Sequence, residues 1–281
     1  MPTFATPEPI LADLEPVIGN VRIVASDRAD TVVEVAPLDE NNESDVDAAK
    51  RTVVELSGGT LTVRAPKMRL LDFSNRTRSI EVTIELPAGS RLQGSTGLGD
   101  LTATGRLGTC RYKTGTGHLR FDLAGELELH SASGSIVVGH VAGNADVSTS
   151  SGRVHIGKID GTGVIKNSNG TTTIEAAGDS IRVRSANGDI TVDKAESGVE
   201  AKTANGSVRV LDAARGTLTL ETSMGDVEIG IRGGSVAWLD VKTRFGRVIN
   251  EMDAATSPDA ATDKVEVHAS TAVGDIVVRR S

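Results

Sequence analysis

The chain has 281 residues, a net charge of −8, 38% hydrophobic and only 2% aromatic residues. Its charges of both signs are interspersed, and it lacks the basic face that non-specific nucleic-acid or anionic-membrane binding needs. No window approaches the ~20 apolar residues of a membrane-spanning helix, so direct membrane insertion is not expected. A single cysteine, Cys110, forms no intrachain disulfide and fits a reducing compartment. The acidic, proline-containing stretch 1–20 has no apolar core of a secretory signal. Together these features predict a cytoplasmic protein.

In chain order, 1–16 reads as an irregular leading segment, followed by a strand-rich region over 17–90. Val21–Val24 and Thr31–Val35 are β-branched and predict strands. Ser44, with Asp47 three residues later, predicts the cap of a short helix over 44–50. Thr52–Leu56, Gly58-Gly59 and Leu61–Val63 predict a hairpin. Residues 67–79 place Lys67, Arg69, Arg76 and Arg78 around Leu70, Leu71 and Phe73. That loop reads as solvated charge over packed apolar residues, or as a small basic contact site. Ile80–Leu86 alternates cleanly and predicts a strand.

From 91 to 281 a glycine recurs at 99, 117, 134, 152, 170, 188, 206, 225, 246 and 274, mostly 18 residues apart. Ser185–Val192 (SANGDITV) and Thr203–Val210 (TANGSVRV) are near copies of one another. Three residues before the glycine stands Ser or Thr, with Asn167 the exception. Two and four residues after it the columns are mainly Leu, Ile and Val, as at Ile190 and Val192. That spacing of two points both columns inward from one short strand. A second strand precedes the glycine, with inward pairs such as Ile181 and Val183 or Leu218 and Leu220. Two strands and two turns per ~18 residues are too few for a propeller blade and predict one coil of a solenoid. The fold class is therefore all-β: a single-domain parallel β-solenoid, its ten coils stacking to about 45–50 Å. The wide steps near the C-terminus predict an insertion or capping loop over 250–263.

The columns explain themselves structurally. Asn-Gly at 169–170, 187–188 and 205–206 accepts positive φ. Stacked asparagines predict an amide ladder along the coils. The aspartates after the glycine do not form a calcium-roll pattern, and the five histidines lack His-x3-His spacing, so no metal site is expected. Cys110 falls in an inward column and reads as a buried, unreactive thiol. No Walker loop or G-x-S-x-G is present. No catalytic residue or cofactor is predicted. Met224, Trp238 and Phe245 gather in the irregular last coils, where they predict either a cap over the apolar end or a partner-binding end.

The tandem T/S-x-x-G-D/S-[IV]-x-V repeats, seen at Ser185–Val192 and Thr222–Ile229, resemble the DUF4097 β-strand-repeat proteins, also called putative adhesins. The likeness extends to Gly19–Ile23, Thr31–Val35, Leu61–Val63 and Val82–Ser90, and covers about 17–281. It implies a β-solenoid with no known activity. The expected function is a non-enzymatic scaffold or interaction module that binds a protein partner or itself, with no nucleic-acid partner. The candidate surface is Lys67, Arg69, Phe73 and Arg76 together with Met224, Trp238 and Phe245. The alternatives are a binder of a repetitive glycan at the cell envelope and, behind it, a polysaccharide-active enzyme.

Overall fold

Parallel pairing at an 18-residue register builds the chain. In the computed structural model Ile190–Ala195 pairs with Val208–Ala213, Ile190 facing Val208 and Val192 facing Val210. The strand before the glycine repeats the arrangement, Ile181 facing Val199 and Val183 facing Ala201. The structure describes residues 1–66, 78–252 and 263–281, with 26 strands and one helix among them. Contacts divide the chain into Met1–Val137 and Val138–Ser281. Each unit is a two-sided β-solenoid of short coils.

The inward columns are where alternation puts them. Ile190, Val192, Val208 and Val210 have no exposed surface. Full burial of such a side chain contributes about 1.5–3 kcal/mol. A third inward position was not predicted: Ala177, Ala195 and Ala213, seven residues after the glycine, are also buried. The strand bends between the second and third inward positions, so the inward spacing there is three rather than two.

In residues 1–137 the first coil is one long strand, Leu11–Ser26. Its opening residues pair with Thr60–Arg64 on one edge and with Arg91–Leu98 on the other. Its closing residues lie between Ile80–Pro87 and Leu101–Arg106. Thr60–Arg64 and Ile80–Pro87 therefore lie outside the first coil. Antiparallel strands finish this end: Asp30–Pro37 on Ile80–Pro87, and Val53–Ser57 on Thr60–Arg64. The predicted hairpin turn is there, with Gly58 and Gly59 at φ of 55° and 75°, the conformation of a type I′ turn. The predicted helix is Glu43–Arg51, but its cap is Asn42 rather than Ser44. The Asn42 side chain accepts the Ser44 N–H at 3.0 Å. Asn42 offers its oxygen from two positions further out, so Ser44 enters the first turn instead.

Residues 138–281 depart from the expected sequential stack. Gly216–Met224 pairs with Lys264–Val273, and Lys264–Val273 pairs with Val236–Phe245. On the other face Val227–Ile231 pairs with Ile276–Arg280, which pairs with Val248–Asn250. The last coil in sequence is therefore the second to last in space, and 236–250 is the outermost. The wide glycine steps are the length needed to go out one coil and return; the loop expected over 250–263 lies, at 253–262, outside the described residues. Arg232 holds the exit point, bonding Asp212 at 2.7 Å and Glu196 at 2.9 Å. Asn250, an apparent misfit in an inward column, is exposed because nothing among the described residues covers its coil.

This order has a direct test. Removing 264–281 takes away the only described neighbour of 236–250. Limited proteolysis of the shortened chain should then cleave within 232–250 while 138–231 stays protected. Protection of 236–250 in that variant would mean the coils stack in sequence order.

Candidate functional site

The corner that carries the repeat glycine is the most conspicuous polar feature. Gly188 has φ of +144°, and a Cβ placed there would lie 2.1 Å from the Gly170 carbonyl oxygen. The glycine is required by the neighbouring coil as well as by its own φ, a reason the sequence pattern alone did not supply. Part of the Ser/Thr column binds the same carbonyls: Thr203 Oγ1 donates to Gly188 O at 3.2 Å, and Thr222 Oγ1 to Gly206 O at 2.8 Å, whereas the buried Ser185 hydroxyl makes no such bond. Asn167, the exception in that column, donates to both Gly152 O and Gly170 O at 3.0 Å. The amide ladder is present, Asn205 Nδ2 reaching Asn187 Oδ1 at 2.8 Å and Asn187 Nδ2 reaching Asn169 Oδ1 at 2.9 Å.

The charged residues beside this corner also serve the coil. Asp189 accepts the Ser207 N–H at 2.9 Å, and Asp275 accepts the Arg247 N–H at 2.8 Å. The Arg247 contacts hold the Asp275 carboxyl below the usual carboxylate range. Four of the five histidines lie beside carboxylates, as His140 does 2.8 Å from Asp160 and His155 3.1 Å from Glu175, while the His118 ring accepts the Ser135 N–H at 3.1 Å. Among the described residues no three His, Cys, Asp or Glu side chains converge as metal ligands would.

The predicted interaction residues divide. Lys67, Arg69, Phe73 and Arg76 lie outside the described residues. Met224, Trp238 and Phe245 are 57%, 57% and 68% exposed. They do not cap the core as one reading expected, because all three point outward from the coil. Two of them come together. Met224 faces Val273, and Val273 faces Phe245, on three adjacent coils. The same column holds Asn205 one coil earlier. At the C-terminal end of this unit the amide ladder thus gives way to a row of exposed apolar side chains. The coil inversion brings Val273 between the other two, which sequence order hides. Trp238 is on the outward face near the other end of the same strand. Its ring meets His268 edge-on, with centroids 5.4 Å apart. Beside it is a shallow groove of about 560 Å³ whose lining includes Lys264 and Glu266.

In residues 1–137 the Cys110 thiol and the Tyr112 phenol are both buried. Cys110 stacks between Leu92 and Leu127, as its column predicted. Burial pushes its thiol pKa up to about 12. Burial likewise raises the Tyr112 phenol to about 12, against a hydrogen bond with Thr96 that lowers it.

Comparison with known proteins gives one decisive match. The family model for Toastrack DUF4097 matches residues 18–279. No curated protein matches the chain. Among solved structures, a putative adhesin from Parabacteroides merdae is 12% identical, with a TM-score of 0.45, over 99% of this chain and 95% of that one. A putative adhesin from Bacteroides fragilis is 13% identical, with a TM-score of 0.36 and the same coverage. A putative lipid binding protein from Parabacteroides distasonis is 13% identical, with a TM-score of 0.33, over 99% and 96%. At these TM-scores the likeness carries no argument, and membership rests on the family model.

The buried thiol and phenol set a pH dependence. The unfolded chain releases both protons at lower pH than the folded chain. The stability they confer is fully present below pH 9, the ordinary thiol value, and is lost as pH rises toward about 12. Denaturant midpoints should fall across that window. Cys110 should react with a thiol reagent at pH 8 only once the chain unfolds; rapid labelling of the native protein would contradict its burial.

Proposed function

The chain belongs to the Toastrack DUF4097 family, and we propose that it is a non-enzymatic binding scaffold whose contact surface is the C-terminal end of residues 138–281. The observation that supports this is the change along one column. Asn169, Asn187 and Asn205 form a ladder that satisfies its own hydrogen bonds. Met224, Val273 and Phe245 continue it as exposed apolar side chains, 57%, 49% and 68% accessible. Exposed apolar side chains gathered on adjacent coils mark an interaction surface more often than scattered ones do. The coils fix their spacing, so little conformational entropy is lost on binding. We place the protein in the cytoplasm, a reading that leans on its single, buried cysteine.

Immobilised wild type and a Met224→Gln, Phe245→Ser double variant would be compared for saturable binding of proteins from cytosolic and envelope fractions of the source cells. The expected result is binding from the cytosolic fraction, weakened roughly tenfold or more in the variant, since exposed anchors at an interface centre carry such effects. The melting temperature should be unchanged. Equal binding by both proteins would remove the proposed surface, and a partner found only in the envelope fraction would overturn the localisation.

A second reading is favoured by Trp238, whose exposed indole lies beside the groove containing Lys264 and Glu266. An indole next to polar groups suits stacking on a sugar ring. On a glycan array this reading expects binding that Trp238→Ala abolishes, and an array without binding would reject it.

A further inference from the structure

We propose that two copies of the chain join through the outer edge of Val236–Phe245, the two strands running antiparallel about a two-fold axis at Val241. This rests on the reading of the C-terminal end as a contact surface and names its occupant as a second copy. The strand is 10 residues long and pairs on one side with Lys264–Val273. Among the described residues no strand pairs with its other side. A long strand with an open row of backbone donors and acceptors is a template for another strand.

The backbone phase sets which residues can pair. Val236 N–H donates inward, to Asp263 O at 2.9 Å. In a parallel ladder the two edges are served by alternate residues, so Ala237, Leu239, Val241 and Thr243 turn their backbone groups to the open edge. An antiparallel pair centred on Val241 then joins Leu239 with Thr243, and Val241 with its own copy, through hydrogen bonds. The residues between them fall at the non-hydrogen-bonded positions, where side chains are closest.

Those positions are charge-complementary. Asp240 faces Lys242 of the second copy, and by symmetry Lys242 faces its Asp240. Trp238 faces Arg244, a pairing suited to cation–π contact. Moving the centre to 240 would set Asp240 against Asp240, and moving it to 242 would set Lys242 against Lys242. Of these three registers only the central one opposes no like charges. All four residues point outward, and Asp240 and Lys242 already lie 3.0 Å apart within one strand. The half-buried Leu239 and Val241 and the 45%-exposed Val248 of the outermost coil gain cover from the second copy.

Sedimentation velocity of the full chain over a concentration series tests the pairing. Wild type should show a reversible monomer–dimer equilibrium. Asp240→Lys and Lys242→Asp should each weaken it roughly tenfold, because two attractive cross-strand pairs become two repulsive ones. The double exchange of both residues should restore it, and circular dichroism should show all three variants folded. A wild type that is monomeric throughout, or a dimer indifferent to the single exchanges, would overturn the inference. A monomer that still binds a partner in a Phe245-dependent way leaves the scaffold reading standing. A dimer with the expected charge dependence but no variant-sensitive partner confirms the pairing alone.

Discussion

The close approach of one coil's backbone to the next at the glycine corner is the constraint on which the rest depends. At Gly206 a Cβ would lie 2.4 Å from the Gly188 carbonyl oxygen, and at Gly188 one would lie 2.1 Å from that of Gly170. The approach fixes where each coil begins relative to its neighbour. With that point fixed, a strand of two inward residues falls in register, Ile190 on Val208 and Val192 on Val210. The Thr203 and Thr222 hydroxyls then find the carbonyls that the tight corner would otherwise leave unbonded. Register, core and corner polar satisfaction are consequences of one geometric requirement, and for that reason a low-aromatic sequence can specify the fold.

A stack built this way has to end, and the two ends do so differently. In residues 1–137 the chain places Thr60–Arg64 and Ile80–Pro87 outside its first coil and turns the outermost strands antiparallel. In residues 138–281 the last coil slides beneath the one before it. Each arrangement takes a terminal coil away from the outside and gives it neighbours on both edges. The remaining outer coil at the C-terminal side is poorly covered, with Val248 and Phe245 exposed. Arg232, bridging Asp212 and Glu196, ties the exit to two earlier coils. Its partners hold it firmly charged, and they hold both carboxyls below their ordinary range.

The coils were legible in the sequence because each inward column repeats one chemical requirement many times over. Ser, Thr and Asn three residues before the glycine recur at the same corner, and Ile or Val two and four after it recur at the same core positions, from coil to coil. Ala177, Ala195 and Ala213 were missed because the strand bends before them, and a bend breaks the period of two from which burial is inferred. The inverted coil order was hidden for a different reason. Every coil presents the same inward columns, so the columns of 236–250 and 264–280 fit either neighbour, and spacing alone cannot order them. The cap of the helix was misplaced by two residues because Asn42 and Ser44 both offer side-chain oxygens to a first turn.

That degeneracy bears on function. When all coils share one packing code, the inward face carries no individual information, and distinction has to reside in outward residues and in the ends. Along the corner, Asn187 and Asn205 use their amides on each other and leave little unspent for a ligand. The aspartates that follow the glycine cap the next coil's N–H groups, as Asp189 does for Ser207. The apolar row Met224, Val273 and Phe245 is not committed in this way, and it exists only because the final coil inserts Val273 between the other two. The inversion that shelters the end of the chain therefore also assembles its most distinctive surface, so coil order and recognition are coupled through the same few residues.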